Sequence, residues 1–446
     1  HAFYLAKGRN GEDKISPVEN IKYYSNANIV ELGCKMNVWR GIPLKDTING
    51  DCGSILVAKS ELGYCIVGIH MLGHAGEIIA VATNSAFVDS CLQFGREYFI
   101  SSNPPLLQSI NEDPKMGNLH KKSVIRYIDR GQAYVYGSFL GFRANHKSRV
   151  EPTIINEYMR EKYQTTHAPP VFDWRPWRLA AMDSLNIPNN INCEILDECI
   201  KYYTNDILSK LTEEDLRMVH VYDLFTTVNG AQGVLYVDKI NRNTSAGFPF
   251  NRSKKYYMSA IPEQHGMPDP VEVSDEIMEM YDEMLNRYKR GERSGCVFTA
   301  HLKDEPVTAK KVEMGKTRVF SGANLPFTMI VRKYLLSVIR VIQENQILFE
   351  SAPGIIAQSA DWDKLYHHLT QFGTNKICAG DFAKYDKKMS ALLILGDFKI
   401  LRSICEASGN YTEEDLLVIR GISYDIAFAY QNYNGDLIQF FGSNPS

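Results

Sequence analysis

The first ninety residues carry short apolar runs that glycines interrupt. SILVAKS and YCIVGIHM flank a Glu-Leu-Gly turn, and EIIAVAT follows a second glycine turn. Short apolar runs separated by glycine turns are typical of antiparallel strands in a barrel or a sandwich. The pattern therefore predicts an all-β domain, to which we assign residues 1–92.

Further along the chain, apolar positions recur at helical spacing and predict helices over four segments, 190–212, 274–291, 325–345 and 390–407. NKICAGDF predicts a strand that ends at Asp381. YDIAFAYQNYNGDLIQFF predicts two strands around Asn434 and Gly435, a pair typical of the type I′ hairpin turn. Helices mixed with a few strands predict an α/β domain with a small internal sheet over 119–446.

Composition changes between these two patterns. The stretch SSNPPLLQSINEDPKMGN is rich in Pro, Ser and Asn, and it predicts an exposed linker, which we bound at 93–118. With 446 residues, the chain is long enough for two or three domains. Its formal net charge of −3 means that any nucleic-acid contact must rest on a local basic surface.

The cysteines and the two chain ends give further information on what kind of protein this is. Nine cysteines without a CxxC pair predict free thiols in a reducing compartment rather than a disulfide framework or a zinc site. No apolar run approaches the about 18 residues of a membrane span. The chain starts at His1 and stops at Ser446 in a polar loop, so we expect both ends to have been cut from a longer protein.

A cysteine stands between two glycines in TINGDCGS. Gly50 and Gly53 allow a sharp turn around Cys52, so that backbone N–H groups could converge on an oxyanion. A nucleophilic thiolate also needs a nearby base, and GIHMLG places His70 on a neighbouring strand. The alternative is a β-turn with a buried cysteine and a hydrogen-bonded histidine.

A basic run, HLKDEPVTAKKVEMGKTRVF, offers the cations that a triphosphate requires: Lys303, Lys310, Lys311, Lys316 and Arg318. The alternative is a solvated charged hairpin. GDFAKYDKKMS then places two aspartates five residues apart. Asp381 could hold a metal ion and Asp386 could contact a substrate, or they could be a turn residue and a helix N-cap.

The cysteine segment resembles the C-terminal half of the chymotrypsin-like cysteine protease of picorna-like viruses. The residues that carry this resemblance are Thr47, Gly50, Cys52, Gly53, Gly68 and His70. It implies that Cys52 is the nucleophile and that Thr47 and His70 line the pocket for a Gln or Glu before the cleaved bond. The family's general base lies upstream of this segment, so we expect little proteolysis from this chain alone.

Four later motifs resemble motifs G, F, A and B of the viral RNA-dependent RNA polymerase of picorna-like viruses. They are NTSAGFPF, KDEPVTAKKVEMGKTR, DFAKYD and GSNPS, and they occur in the family's order. YVYGSFLGFRANHKSRVEPT is similar to the fingertip segment of dicistrovirus- or marnavirus-type enzymes. The resemblance implies a multidomain chain: an all-β chymotrypsin-like barrel fragment, then the fingers and part of the palm of a right-hand α/β polymerase.

The polymerase resemblance implies roles residue by residue. Template contacts would come from Thr244 and Ser245. The incoming triphosphate would meet Lys303, Lys311 and Arg318, with Lys316 on the same element. Nucleotide and template would be seated by Asn444 and Ser446.

The same resemblance assigns the acidic motif. Asp381 would bind Mg²⁺ (or Mn²⁺), with the Phe382 carbonyl as a further ligand, and Asp386 would sense the ribose 2′-OH. The Gly-Asp-Asp motif of the family is expected beyond Ser446, so we do not expect RNA synthesis from this chain in isolation. Two alternatives stay open, a non-catalytic RNA-binding precursor and a reverse transcriptase-type palm. Asp386 argues against the second of them.

Partners and location follow from the resemblance. It implies an RNA template and primer, NTPs, other viral replication proteins, and the viral polyprotein as protease substrate. Gln108–Ser109 in the linker is the preferred cleavage junction, with Gln93–Phe94 as second choice. The expected location is the host cell cytoplasm, at membrane-associated replication complexes.

Overall fold

The computed structural model describes residues 2–7, 13–29, 34–44, 53–60, 63–74, 76–83, 116–117, 119–128, 133–139, 147–164, 167–185 and 191–440. The chain divides into two compact units, His1–Phe99 and Ile100–Ser446. The predicted bounds of the linker and of its cleavage site stay predictions, because 84–115 lie outside the described residues. None of the described helices combines the length and the apolar character that a membrane crossing requires.

The first unit is a closed antiparallel barrel of six strands in the order β1-β2-β3-β6-β5-β4. The strands are β1 (Ala2–Lys7), β2 (Asp13–Ile29), β3 (Cys34–Pro43), β4 (Ile55–Ser60), β5 (Gly63–His74) and β6 (Glu77–Ala82). Pairing of β1 with both β2 and β4 closes the barrel. The prediction of an all-β domain is confirmed, and the three quoted runs form β4, β5 and β6.

Alternation along the strands builds the core of this barrel. Ala2 and Tyr4 on β1, and Ser16 and Val18 on β2, are buried, whereas Pro17 between them is exposed. Successive side chains of a strand point to opposite faces. With this two-residue period, one face of each strand points into the barrel. The buried face then joins Leu56 and its neighbours in one apolar cluster.

The second unit combines helices with a mixed sheet. Its helices are α1 (Asn156–Tyr163), α2 (Trp174–Leu185), α3 (Cys193–Lys210), α4 (Glu213–Met218), α5 (Leu224–Asn229), α6 (Asp275–Lys289), α7 (Ala309–Glu313), α8 (Leu325–Glu344), α9 (Ala360–Thr370), α10 (Tyr385–Lys388), α11 (Ala391–Ala407) and α12 (Glu413–Ala427). Its strands are β7 (Met116–Gly117), β8 (Ala133–Phe139), β9 (His167–Ala168), β10 (Met258–Ala260), β11 (Val271–Val273), β12 (Val297–Leu302), β13 (Val307–Thr308), β14 (Val319–Gly322), β15 (Tyr430–Tyr433) and β16 (Asp436–Phe440). Short 3₁₀ turns cover Val124–Tyr127 and Lys254–Tyr257.

Six strands form the main sheet, in the order β14-β12-β15-β16-β8-β7. Only the β12–β15 pair is parallel among the described strands of this sheet. Helix α2 packs on one face, where Trp177 joins an apolar cluster with Ala300, Val319 and Ile438. The Trp177 indole N–H also donates to the Ala300 carbonyl (3.3 Å). This packing fixes the N-terminal half of α2 against the sheet.

A buried ion pair joins α12 to the loop before β12. The carboxylate of Asp425 is fully buried and lies 2.9 Å from the guanidinium of Arg293. It also accepts hydrogen bonds from the hydroxyls of Tyr288 (2.6 Å) and Ser294 (2.6 Å) and from the backbone N–H of Ser294 (2.9 Å). Burial raises the pKa of Tyr288 well above its ordinary value, and the charge of Asp425 adds to this shift, so the phenol remains a donor.

The four predicted long helices are confirmed as α3, α6, α8 and α11. The predicted hairpin is confirmed as β15 and β16, and both turn residues have positive φ, 52° at Asn434 and 97° at Gly435, as a type I′ turn requires. One boundary was wrong. Tyr424 lies in α12 rather than in a strand, because Ile422, Tyr424 and Ala427 continue the buried face of that helix.

The predicted strand NKICAGDF is wrong. Residues 375–382 form no strand, and all of them are exposed, including Ile377 (50%) and Phe382 (78%). A strand is stabilised by the ladder of hydrogen bonds to a neighbour, and no described strand pairs with this segment. Its apolar content alone therefore does not produce a strand here.

Candidate functional site

One cavity of about 900 Å³ in the second unit gathers most of the residues that the basic and acidic motifs supply. Its lining includes six cationic and three acidic side chains, Lys303, Lys311, Lys316, Arg318, Lys384, Lys387, Asp183, Asp381 and Asp386. The excess of cations suits a polyanionic ligand, and the volume lies within the range of small-molecule sites.

The strand pair β12–β14 brings two of the cations together. Leu302 pairs with Val319, so Lys303 leaves one strand where Arg318 enters the other, and the Lys303 N–H donates to the Arg318 carbonyl (2.9 Å). Glu305 lies between their side chains, 3.1 Å from the ammonium and 3.5 Å from the guanidinium. The carboxylate thus holds both cations at the same mouth of the cavity.

Helix α7 and the turn after it position two more cations of the basic motif that line the cavity, Lys311 and Lys316. The Lys316 N–H donates to the Lys311 carbonyl (2.8 Å), which folds the two residues back on each other. Thr317 fastens this turn to the segment before α2, because its hydroxyl donates to the Val171 carbonyl (2.7 Å) and accepts from the Val171 N–H (3.0 Å). Among the described residues neither Lys311 nor Lys316 has an acidic partner, so both ammonium groups are available to an anion.

A tight turn carries the two aspartates of the acidic motif. Lys384 sits in the left-handed region with φ 58°, and its carbonyl accepts from the N–H groups of Lys387 (3.0 Å) and Lys388 (3.1 Å). Asp386, in the first turn of α10, lies 2.9 Å from the buried ammonium of Lys387. Asp381 is exposed, and it makes no hydrogen bond or ion pair with any described residue.

Asp183 is a cavity residue that the sequence analysis missed. It lies near the end of α2, and its carboxylate is 2.6 Å from the Lys384 ammonium. Burial raises the pKa of Tyr433 above its ordinary value, and the charges of Asp386 and Asp183 act in the same direction. Both carboxylates therefore lie within electrostatic reach of one buried phenol at the end of β15.

The two template residues do not line this cavity. The Thr244 hydroxyl donates to the Asn241 carbonyl (3.0 Å) and accepts from the Lys254 ammonium (2.6 Å). The Ser245 hydroxyl accepts from the Gly247 N–H (3.1 Å). Gly247 has φ 77°, and a Cβ there would lie 2.6 Å from the Asn324 Cα, so the tight approach of this loop to α8 requires glycine.

Oxygen donors at the acidic turn fit a divalent metal in part. Asp381 offers an exposed carboxylate and Phe382 a backbone carbonyl, which are the hard oxygen ligands that Mg²⁺ takes. No group of three or more His, Cys, Asp or Glu side chains forms a metal cage in the part of the chain that the structure describes. The residues present therefore fit a portion of a metal coordination shell.

In the first unit, the structure pairs His70 with the residues that follow Cys52. The Gly53 N–H donates to the His70 carbonyl (2.8 Å), and the His70 N–H donates to the Ser54 carbonyl (2.8 Å). The imidazole is 2% exposed and stacks against Tyr4 at 6.2 Å. Gly53 has φ 90°, the left-handed region that favours glycine.

Four of the predicted site residues lie outside the described residues, namely Thr47, Cys52, Asn444 and Ser446. Their roles stay predictions. The structure thus brings together Lys303, Lys311, Lys316, Arg318, Asp381, Phe382 and Asp386 in one cavity. It places Thr244 and Ser245 in a separate loop and His70 in the other unit.

Comparison with known families identifies the second unit. The model for "Viral RNA-dependent RNA polymerase" matches residues 191–446, more than half of the chain. The chain belongs to the viral RNA-dependent RNA polymerase family. The resemblance of the four motifs to this family is thereby confirmed at the level of the family.

Relatives of this chain among the curated proteins are viral polyproteins. The chain is 23% identical over 435 residues to the replicase polyprotein of Drosophila C virus, covering 90% of this chain and 24% of that protein. It is 27% identical over 379 residues to the replicase polyprotein of Acute bee paralysis virus, covering 78% and 19%. The chain therefore spans about a quarter or less of the length of these relatives.

A solved structure shares the fold. The Sicinivirus 3Dpol RNA-dependent RNA polymerase aligns with a TM-score of 0.50 at 16% identity, covering 68% of this chain and 60% of that one. The predicted polymerase fold is confirmed by this likeness. The six-stranded barrel of the first unit confirms the all-β prediction.

Proposed function

We propose that the second unit binds nucleoside triphosphates for template-directed RNA synthesis, as an RNA-directed RNA polymerase. The observation that carries this proposal is the single cavity in which the cations of the basic motif face Asp381 and Asp386. Family membership supports it, and the net positive lining suits a triphosphate.

The cations would bind the phosphates. Lys311 and Lys316 have no acidic partner among the described residues, so they can neutralise the triphosphate without first breaking an ion pair. Arg318 adds two donors in a planar fork that matches phosphate oxygens. As the primer hydroxyl attacks the α-phosphorus, charge develops on the leaving pyrophosphate, and fixed cations stabilise that charge.

The acidic turn would bind the ribose end. Asp386 can accept a hydrogen bond from the 2′-OH, a group that deoxynucleotides lack. Asp381 and the Phe382 carbonyl would hold Mg²⁺ or Mn²⁺, which when bound supplies charge stabilisation at the reacting phosphate. Removal of this metal by EDTA is expected to weaken ATP binding.

The test is ATP binding measured by calorimetry with Mg²⁺, on this chain and on a Lys311→Met/Lys316→Met variant. We expect the double variant to bind ATP at least about tenfold more weakly, since each charged hydrogen bond contributes about 1.5–3 kcal/mol. Arg217→Met, which removes an exposed helix cation outside the cavity, is the control. Equal ATP affinity in all three proteins would exclude a triphosphate site here.

Two other functions predict different results. An RNA-binding precursor would bind single-stranded RNA but show no saturable ATP binding. A reverse transcriptase-type site would bind deoxynucleotides at least as well as ribonucleotides. A comparison of ATP with 2′-deoxyATP, followed by primer extension in a longer replicase that contains this chain, separates the three.

We infer further that the first unit is part of a chymotrypsin-like cysteine protease, with Cys52 as nucleophile and Thr47 and His70 in the substrate pocket. The closed six-stranded barrel and the pairing of His70 with Gly53 and Ser54 support this. The substrate would be the viral polyprotein, cut at Gln108–Ser109.

In a longer polyprotein, Cys52→Ala should stop processing, whereas Cys65→Ala, on the exposed side of β5, should not. Processing that continues in Cys52→Ala would exclude this role. The other viral replication proteins as partners, and a cytoplasmic location at membrane-associated replication complexes, are part of the same proposal.

A further inference from the structure

The turn that carries both aspartates of the cavity contains a residue in an unfavourable backbone conformation. Lys384 has φ 58°, the left-handed region. An L-residue with a Cβ is less stable there than in the right-handed region. Other contacts must hold this conformation, because the energy of the residue itself favours a different turn.

Lys384 is held from outside its own turn by one side chain. Its ammonium lies 2.6 Å from Asp183, which belongs to α2, 201 residues earlier in the chain. Helix α2 is itself fixed by Trp177 in the apolar cluster against the sheet. The ion pair therefore ties the acidic turn to a rigid element, and both of its members line the cavity.

The conformation at Lys384 determines where Asp386 points. Residues 385–388 start α10 directly after Lys384, and the carbonyl of Lys384 accepts the N–H groups of Lys387 and Lys388. A different φ at Lys384 would leave these bonds intact but swing α10 as a body relative to residues 381–383, which would move Asp386 relative to Asp381. Because the distance between the ribose contact and the metal ligand depends on this turn, its rigidity bears on which sugar is accepted.

We propose that Asp183 is a positioning residue: by pairing with Lys384 it holds the left-handed turn that sets Asp386, and it thereby sharpens the preference for ribonucleotides over deoxyribonucleotides. This rests on the proposed function of the cavity. Asp183 acts through Lys384 and needs no contact with the nucleotide.

Glycine provides a specific rescue. It adopts positive φ without the cost that lysine pays, so a glycine at this position needs no ion pair to keep the turn. Asp183→Asn should loosen the turn, and Asp183→Asn/Lys384→Gly should restore it. The matched control is Asp197→Asn, which removes a similar exposed ion pair, 2.7 Å from Lys399, between α3 and α11 and outside the cavity.

The first measurement is hydrogen exchange of the peptide that covers 381–389, which requires no ligand. Asp183→Asn is expected to speed exchange there by about fivefold, the effect of about 1 kcal/mol on a local equilibrium. The double variant and Asp197→Asn should exchange like the original chain. Unchanged exchange in Asp183→Asn overturns the proposal.

The second measurement is the ratio of affinities for ATP and 2′-deoxyATP. Asp183→Asn should lower this ratio by about the same fivefold factor, and the double variant should regain it. If Asp183→Asn instead tightens both nucleotides equally, the ion pair only withholds Lys384 from phosphate, and the positioning role is wrong. If no nucleotide binds while exchange responds as expected, the proposed function fails and the specificity role fails with it. The role of Asp183 in holding the turn at Lys384 still stands.

Discussion

Asp425 and Asp381 are the same residue type in opposite environments. Asp425 is fully buried, and a guanidinium, two hydroxyls and backbone N–H groups surround its carboxylate. Asp381 is exposed at a cavity, and no described residue donates to it. One carboxylate has all of its acceptor capacity used by the protein, and the other has all of it available.

This difference separates a carboxylate that stabilises the fold from one that is available to a ligand. A buried carboxylate must be paired, because an unpaired charge in the interior is costly. An exposed carboxylate beside several cations and without a partner among the described residues contributes little to folding, which is why we propose that Asp381 binds a ligand. Asp386, half-exposed and paired with Lys387, lies between these two extremes.

Removal of the partner of Asp425 should have the largest effect. Arg293→Met keeps the length of the side chain but leaves a buried carboxylate without its counter-charge. We expect the free energy of unfolding to fall by about 3–5 kcal/mol, the cost of breaking a buried pair from one side. Urea denaturation followed by circular dichroism measures it.

Arg290→Met is the matched control for this prediction. That arginine is exposed and pairs with Glu292 at 3.0 Å, so its loss should leave the free energy of unfolding almost unchanged. If both variants lose equal stability, Asp425 does not depend on its partner, and the contrast with Asp381 disappears.

Asp381→Asn should give the reverse result. With no protein partner lost, the free energy of unfolding should stay within about 0.5 kcal/mol of the original. Affinity for Mn²⁺, titrated by calorimetry, should fall by about 100-fold or more, because losing a direct ligand should cost at least as much as losing one of its outer-shell partners. A stable variant that binds Mn²⁺ as before would remove Asp381 from the metal site.

Local patterns predicted the elements with local causes. Helices α3, α6, α8 and α11 follow from apolar spacing, and the Asn434–Gly435 hairpin follows from two residues that tolerate positive φ. Four of the six cations that line the cavity also come from one short run, which turns back on itself between the paired strands β12 and β14.

Features that depend on distant partners could not be predicted in this way. Asp183 matters because α2 packs where Lys384 can reach it, and nothing near Asp183 in sequence marks that contact. NKICAGDF has a strand's composition, but a strand also needs a neighbour to pair with. Asp425 left a weak signal, the one acid among the apolar residues of the C-terminal half of α12, which an analysis of buried charges could have found.

Arg318→Met tests another charged residue of the cavity that Asp381 lines. Its guanidinium side chain is 68% exposed, and its pair with Glu305 spans 3.5 Å, so stability should change by less than about 1 kcal/mol. ATP affinity should fall by about tenfold, the lower end of a charged hydrogen bond. Equal ATP affinity would mean that the nucleotide does not contact Arg318.

The smallest expected effect concerns a cation, Lys254, rather than a carboxylate. The ammonium of Lys254 has no carboxylate within reach among the described residues, burial lowers its pKa, and its one described bond goes to Thr244. Because the Thr244 hydroxyl already donates its hydrogen to Asn241, it has none left for a template phosphate, whereas the Lys254 ammonium has two N–H groups to spare. Lys254→Met should reduce the slope of log affinity against log salt for single-stranded RNA by about 0.7, the value for one phosphate contact. Thr244→Val should leave that slope unchanged; a reduced slope in Thr244→Val alone would assign the phosphate to the threonine and make Lys254 its support.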